Sequence, residues 1–545
     1  MHRRLPDRAG GKCAWEDGNA LNVEKFLEES ARRVPEKTAV VCGSLRRTYR
    51  QIEDDCNRFA RGLAAMGIRR GDRVVVYLEN SIESVIAVFG TLKAGGVFVV
   101  INPTTKSEKL TYLLNDSGAA ALVTHVEKLR GIDACRPQTP HLKKVIVAGG
   151  GAPADAGGKN HARFEDLCSP SAGPATPPPQ DAIDIDLAAL IYTSGSTGTP
   201  RGVMATHANI AAAATSITTY LENTSDDIIL NVLPLSFDYG LYQVLMAFKF
   251  GGTVVLERTF AYVHDVLNTL VREQVTGFPI VPTISALLLD VDLRKYDLSG
   301  LRYITNTAAA IPTTHIAELR RMLPHVRIFS MYGLTECKRV SYLPPDQIDA
   351  RPTSVGKGMP NEEVYIVDAH GSRVGPEVVG ELVVRGANVT KGYWGLPEET
   401  AERFRPGLLP GETVLYTGDL FKTDAEGYLY FVGRTDDIIK SRGEKVSPRE
   451  VENVLFGIEG VAEAAVVGVP DDILGEAIKA VVAPRNGAAL TKEAVLKHCR
   501  EHLENFMVPS IVEVCSSLPR TPNGKIDRRI LAQEESRTRA DSFNV

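Results

Sequence analysis

The sequence predicts an α/β protein of more than one domain. Three observations lead there. Short apolar strands alternate with amphipathic helices over most of the first 336 residues, glycine-separated strands fill residues 353 to 432, and further helix and strand signals follow Gly433. A chain of 545 residues also exceeds what one hydrophobic core serves.

Thr48 with Gln51 forms a capping box, Ile52, Cys56, Phe59 and Leu63 recur on one helical face, and Gly67 can stop that helix. Arg73 to Leu78 (RVVVYL) reads as a buried strand, Ser81 to Lys93 as a helix and Val97 to Ile101 as the next strand. Ser107 is placed to cap a helix carrying Leu110, Leu113 and Leu114, with Gly118 past its end and a strand from Ala119 to Thr124. Strands and helices of these lengths imply βαβ units and a mostly parallel sheet. Gly149 to Gln180 is rich in Gly, Ala and Pro, a composition that buries little, and predicts a mobile surface excursion. The alternation resumes at Ile183 and runs to about Glu336. The runs VYIVD, GELVVRG and YLYFVG then predict a small antiparallel β unit. A helix from Ser447, strands near Ala464 to Val469 and Ala477 to Ala483, a helix from Thr491 and a strand near Ile511 to Cys515 predict a small α+β domain.

Composition excludes several classes. Net charge is −5 with both signs dispersed, and no basic tract marks a nucleic-acid surface. The eight cysteines (13, 42, 56, 135, 168, 337, 499 and 515) contain no C-x-x-C pair, so neither a zinc cluster nor a disulfide framework is expected, and a reducing, cytoplasmic location fits. The N-terminal MHRRLPDRAGGKCAWEDGN has no apolar run behind its basic residues, which speaks against a secretory signal. Lys93, Gly90, Gly95 and Gly96 interrupt the most apolar stretch, Val85 to Ile101, so no membrane span is expected.

The strongest chemical signal is Ala188 to Val203, AALIYTSGSTGTPRGV. An apolar strand enters a loop of small and hydroxyl residues, then a basic residue, then a helix marked by Ile210, Ala214, Ile217 and Leu221. Thr193, Ser194, Gly195, Ser196, Thr197 and Gly198 offer convergent N–H and hydroxyl donors with little bulk, which suits a polyphosphate, and Arg201 adds charge. No Gly-Lys-Ser/Thr follows at P-loop spacing. Tyr332 to Glu336 (YGLTE) offers a ring to stack on a base and a carboxylate for Mg²⁺. Asp419, in a turn formed by Tyr416 to Asp419 (YTGD), can accept ribose hydroxyls. Ser447, Pro448 and Glu450 start a helix, so the glycine-containing stretch before it, from Gly433, is expected to be a loop. Pro519 to Arg529 (PRTPNGKIDRR) puts Lys525 on an exposed turn.

In this order and spacing the segments resemble the adenylate-forming superfamily: acyl- and aryl-CoA synthetases, adenylation enzymes for carrier proteins and beetle luciferases. The resemblance runs from about Val23 to Arg529. It implies an N-terminal AMP-binding part, residues 1–435, of two α/β subdomains and a distorted β-barrel, and a small mobile α+β lid, residues 436–545. Activity would be that of an AMP-forming acid–thiol ligase: a carboxylate and ATP give acyl-AMP and pyrophosphate, and the acyl group passes to a pantetheine thiol. By motif, residues Thr193 to Gly198 would embrace the β- and γ-phosphates. Tyr332 and Gly333 would face the adenine, with Asn306, Thr307, Ala308 and Ala309 opposite. Thr335 would touch phosphate, Glu336 would bind Mg²⁺, and Asp419 and Arg434 would hold the ribose. Lys525 would bridge the α-phosphate and the substrate carboxylate. Asp436 would be the hinge, and Lys440 to Gly443 would face the thiol.

The acid pocket would be partly built by Pro234 to Gln243, PLSFDYGLYQ. Asp238 stands where amino-acid-activating members keep an aspartate for the α-ammonium group, so a proline-like substrate fits. Equally, Asp238 can cap a helix from Tyr239. Tyr239, Tyr242, Phe278 and Met331 are candidates to limit pocket depth. Asn306 to Pro312 (NTAAAIP) and GEKVSPREVE resemble the acyl-CoA branch. No carrier domain follows Val545, so the acceptor is expected to be separate: free coenzyme A or a carrier protein's phosphopantetheine. The alternatives are an amino-acid adenylating enzyme that loads a carrier protein, an aryl-CoA ligase, a luciferase-like oxygenase and an inactive nucleotide-binding module.

Overall fold

The computed structural model describes residues 22–149, 161–194, 199–307, 311–435, 437–441, 444–471, 475–485, 488–521 and 525–533. Two large sheets carry the first part of the chain. The seven-stranded one runs, in spatial order, His161–Arg163, Lys144–Ala148, Ala121–His125, Arg73–Tyr77, Val97–Val100, Leu187–Ser194 and Pro200–Thr206. All its neighbours are parallel except the last pair. The nine-stranded sheet centres on the parallel strands Arg327–Tyr332, Tyr303–Asn306, Gly277–Ile280, Ile228–Asn231, Thr253–Leu256 and Thr38–Cys42. Strands such as Val97–Val100 are apolar throughout because helices cover both faces of a parallel sheet.

Local chemistry starts the helices. The capping box at Thr48 and Gln51 forms, and Ser81 with Ser84 and Thr206 with Asn209 make two more. Ser107 does not cap: the helix Ser107–Asp116 includes it, and Lys106 precedes the helix without a side-chain bond. The helices Ile82–Lys93 and Asp238–Phe250 lie back to back between the sheets. There Phe89 stacks on Phe248 at 4.9 Å, and the Tyr49 hydroxyl donates to the Gly252 carbonyl at 2.6 Å. One apolar cluster therefore spans both sheets.

Three expectations are corrected. The described end of the Gly149–Gln180 segment is packed: His161–Arg163 extends the seven-stranded sheet, and the helix Phe164–Cys168 buries Phe164 against Phe59 at 5.0 Å. The donor-rich loop leads into a strand, Pro200–Thr206, antiparallel to Leu187–Ser194, and only then into the helix His207–Tyr220. The stretch before Ser447 carries a short antiparallel pair, Ile439–Ser441 with Glu444–Val446.

The antiparallel unit is a five-stranded sheet of Glu362–Val367, Gly380–Gly386, Thr413–Thr423, Phe404–Pro406 and Leu429–Arg434; no pairing closes it into a barrel among the described residues. Its central strand Thr413–Thr423 contains YTGD, which is therefore not a turn. Gly418 sits there at φ 70°, and the pairing with Gly380–Gly386 shifts register between Glu381 and Val383. Such a bulge re-aims the next side chain, Asp419. A last five-stranded sheet follows, with helices Pro448–Phe456 and Lys492–His502 packed on it around Val451, Leu455, Val466, Val495 and Cys499. No helix among the described residues is long and apolar enough to cross a membrane.

One buried charge group ties the first three helices together. The Lys93 ammonium, fully enclosed, meets Glu28 and Glu53, each at 2.8 Å. Burial alone raises the Glu28 pKa, but Lys93 and Lys25 outweigh it, and the net value falls below the ordinary 4.5. Glu28 thus contributes stability that is present above that pH and lost as pH falls through its lowered folded value. Replacing Lys93 by Met leaves Glu53 without a cation and Glu28 with Lys25 alone, so Lys93→Met should cost about 3 kcal/mol, read as a lower midpoint in urea unfolding.

Candidate functional site

A cavity of about 370 Å³ opens where the strands Leu187–Ser194, Tyr303–Asn306 and Arg327–Tyr332 end. Ligands collect at the carboxyl ends of parallel strands because the loops diverge there. The helix Asp238–Phe250, the bulge of Thr413–Thr423 and the turn holding Thr521 and Lys525 complete its walls.

On one wall the Tyr332 hydroxyl donates to Asp419 Oδ2 at 2.5 Å, and Arg434 Nε lies 3.6 Å from Asp419 Oδ1. Burial raises the Asp419 pKa, while Arg434 and the Tyr332 bond pull it down; the net shift is upward. Burial, reinforced by Asp419, drives the Tyr332 phenol well above its ordinary range, so Tyr332 keeps its proton and acts as donor. Its ring meets Phe421 edge-on at 4.8 Å.

Thr193, Thr335 and Glu336 border the middle of the cavity. The Tyr393 hydroxyl donates to Glu336 Oε1 at 2.7 Å, and the Arg201 guanidinium lies 5.6 Å from the Tyr393 ring centre. Arg403, the last residue of helix Pro397–Arg403, donates to the Thr417 carbonyl and borders the same space. Gly333 is required by close approach: a Cβ there would lie 2.6 Å from the Lys338 carbonyl oxygen.

Lys525 comes from the C-terminal sheet's side. Its turn is pinned by Thr521 N–H to the Lys525 carbonyl at 2.7 Å and by Lys525 N–H to Thr521 Oγ1 at 3.2 Å. Behind it Arg528 donates to Glu452 at 2.5 Å and to the Val466 carbonyl at 2.6 Å. Arg520 Nη1 reaches across to Thr283 Oγ1 at 2.7 Å, on the helix Pro282–Leu289. Lys525 retains accessible surface although protein surrounds it, because it borders the cavity. Desolvation lowers its pKa, Asp238 opposes that and Arg434 adds to it; the net shift is downward.

At the far end, Asp238 Oδ2 pairs with Lys338 Nζ at 3.7 Å. Burial lowers the Lys338 pKa to about 7 against the opposing pull of Asp238. Asp238 therefore has a protein partner, which removes the reason to supply one from a substrate ammonium. Nor does it cap a helix from Tyr239: it is the first residue of Asp238–Phe250, preceded by Phe237 without a side-chain bond.

Most of the residues singled out by sequence meet here. Thr193, Arg201, Tyr332, Gly333, Thr335 and Glu336 border the cavity, as do Thr307, Asp238, Tyr239, Asp419, Arg434 and Lys525. Asn306 is buried at the end of its strand, outside the lining. Tyr242 lies one layer back, its ring centre 4.4 Å from Lys338 Nζ, and Phe278 is core, whereas Met331 borders the cavity. Lys440 is on the strand Ile439–Ser441, and its side chain lies outside the described residues. Gly195, Ser196, Thr197, Gly198, Ala308, Ala309, Asp436 and Gly443 lie outside the described residues, as does the side chain of Ser194. Sequence reasoning missed Tyr393, Arg403 and Lys338. Only the basic pair directly after YGLTEC carried a local signal.

Residues 27–394 match the AMP-binding enzyme family, and residues 450–525 match the AMP-binding enzyme C-terminal domain. A feruloyl-CoA synthase of Amycolatopsis sp is 35% identical over 502 residues, covering 91% of this chain and 95% of its own. The 3-[(3aS,4S,7aS)-7a-methyl-1,5-dioxo-octahydro-1H-inden-4-yl]propanoyl:CoA ligase of Rhodococcus jostii (strain RHA1) is 33% identical over 528 residues, covering 93% and 98%. The crystal structure of the anthranilate CoA ligase AuaEII in complex with anthranoyl-AMP aligns at TM-score 0.85 and 29% identity, covering 94% of this chain and 98% of that one. With both family regions matched and the cavity at their junction, the chain belongs to the AMP-binding enzymes, the adenylate-forming superfamily.

Proposed function

We propose that this chain is an ATP-dependent acid–coenzyme A ligase that forms an acyl-AMP and then transfers the acyl group to the thiol. The observation that carries the reading is the convergence of Lys525, Glu336 and the Tyr332–Asp419–Arg434 group on one cavity. CoA ligases among the relatives support the coenzyme A acceptor.

In this reading Asp419 accepts from the ribose hydroxyls, Arg434 steadies that carboxylate, and the Tyr332 ring faces the adenine. Thr193, Thr335 and Arg201, with residues 194–198, surround the phosphates, and Arg403 adds a cation. Glu336, a carboxylate at the cavity edge that accepts from Tyr393, would hold Mg²⁺ beside the phosphates. When bound, Mg²⁺ neutralises phosphate charge. Lys525 is the fixed cation between two anions: the substrate carboxylate oxygen bonds to the α-phosphorus as the bond to pyrophosphate breaks. In the second step the thiol sulfur attacks the acyl carbon, its proton leaves and AMP departs. The C-terminal unit turns about Asp436 between the steps, bringing Lys440 to Gly443 to the thiol. A carrier protein's phosphopantetheine offers the same reactive end.

Lys525→Ala should reduce acyl-AMP formation at least about a hundredfold, some 3 kcal/mol, and spare thioester formation from supplied acyl-AMP; assays of the two half-reactions check this. Equal loss in both counts against the assignment. Thr283→Val removes the acceptor that Arg520 reaches, and should slow pyrophosphate release several-fold while leaving thioester formation from acyl-AMP near wild type. Chelation by EDTA should stop pyrophosphate release, and added Mg²⁺ should restore it.

A further inference from the structure

The acyl end of the cavity holds a built charge pair that the ligase chemistry does not use. Lys338 is a lysine in the left-handed region, φ 67°, a conformation that is strained for a non-glycine residue. Its carbonyl lies where a Cβ of Gly333 would stand, so the YGLTE segment and the lysine turn are packed on each other. The side chain is 4% exposed and borders the cavity, with its ammonium 4.4 Å from the Tyr242 ring centre and 5.5 Å from that of Tyr239. Those ring faces favour a cation but accept no strong hydrogen bond. Asp238 at 3.7 Å forms an ion pair longer than a good hydrogen bond, so the ammonium can complete its hydrogen bonding from the cavity.

The sign of the field at this end is set by neighbours. Asp238 also acts on Lys525, together with Asp419 and Glu336, so the carboxylate that faces Lys338 is shared between two cations. Arg339 is fully buried one layer behind, 5.4 Å from the Tyr239 ring centre. Asp238 opens the helix Asp238–Phe250, whose N-terminus adds positive potential. An ammonium-bearing acid would be the third cation on one carboxylate. Size matters as well: a cavity of about 370 Å³ is at the small end for ligand sites, and the nucleotide must share it.

Resting on the ligase reading above, we propose that Lys338 and Asp238 select short or single-ring carboxylic acids that carry an oxygen acceptor at the end remote from the reacting carboxyl. Hydroxy acids and dicarboxylic acids are the class. Plain aliphatic acids leave the ammonium unsatisfied, and amino acids meet repulsion.

The test is pyrophosphate release by the full chain with size-matched acids: butanoate, 4-hydroxybutanoate, succinate and 4-aminobutanoate; benzoate and 4-hydroxybenzoate; proline and decanoate. In the wild type, kcat/KM for an oxygen-bearing acid should exceed that for its apolar match at least about tenfold. In the doubly substituted Lys338→Met, Asp238→Asn protein, which leaves no unpaired charge, that ratio should fall to within about threefold. Preference for the apolar acids, 4-aminobutanoate or proline in the wild type overturns the inference and leaves the ligase reading standing, whatever the variant does. An unchanged ratio in a folded variant also overturns it. Pyrophosphate release with none of these acids overturns the inference as well, and release with no acid of any kind overturns the ligase reading too.

Discussion

The proposed chemistry turns on holding positive charge where two anions must meet. A carboxylate and a polyphosphate repel, and water would screen that repulsion only by flooding the site and hydrolysing the product. The chain's answer is a lysine borne by a separate small unit and anchored twice. Arg528 ties its turn to Glu452 within that unit, and Arg520 ties the same segment to Thr283 of the large part. Arg520 also donates to Glu463, so the residue that reaches the large part is held within its own unit as well. The turn is thus tied into the small unit, which in the proposed reading carries the cation to and from the large one.

The large part is organised to keep the receiving wall still. Asp419 is aimed by a bulge inside a strand, held by a protonated tyrosine, and faced by Arg434. Tyr332 in turn packs on Phe421, whose strand carries Asp419 itself. The same few residues thus serve as core, as hydrogen-bond network and as cavity wall. A site of that construction resists small displacements, because moving any one group disturbs packing as well as polarity.

Local features of the fold were legible in the sequence, and long-range ones were not. The cap at Thr48 and the helix start at Ser447 depend on residues three apart, and both form as read. Ser107 failed as a cap because the helix begins at that residue. The strand Pro200–Thr206 is hidden in the sequence because arginine and glycine interrupt its apolar pattern, and its partners, Leu187–Ser194 on one side and the segment 391–394 on the other, are set by the fold. YTGD looks like a turn because Gly418 does adopt a turn-like backbone, but the strand continues through it. The composition of the segment after Gly149 hides its anchors, Phe164 on Phe59 and the bonds from Asn57 and Arg61 to Ala175 and Thr176. In the site, residues within motifs were found. Tyr393, Arg403 and Lys338 were missed because their importance comes from which distant groups they touch.

The pairing of Thr38–Cys42 with Thr253–Leu256 has a consequence for biosynthesis. The first described strand acquires its only parallel neighbour among the described residues when Leu256 has emerged from the ribosome, and until then Val40 and Val41, both enclosed in the finished protein, have no partner on that edge. The nine-stranded sheet therefore cannot close from its N-terminal side as it is translated. Its assembly is a late event of high contact order, during which nascent apolar surface must be sheltered from other chains.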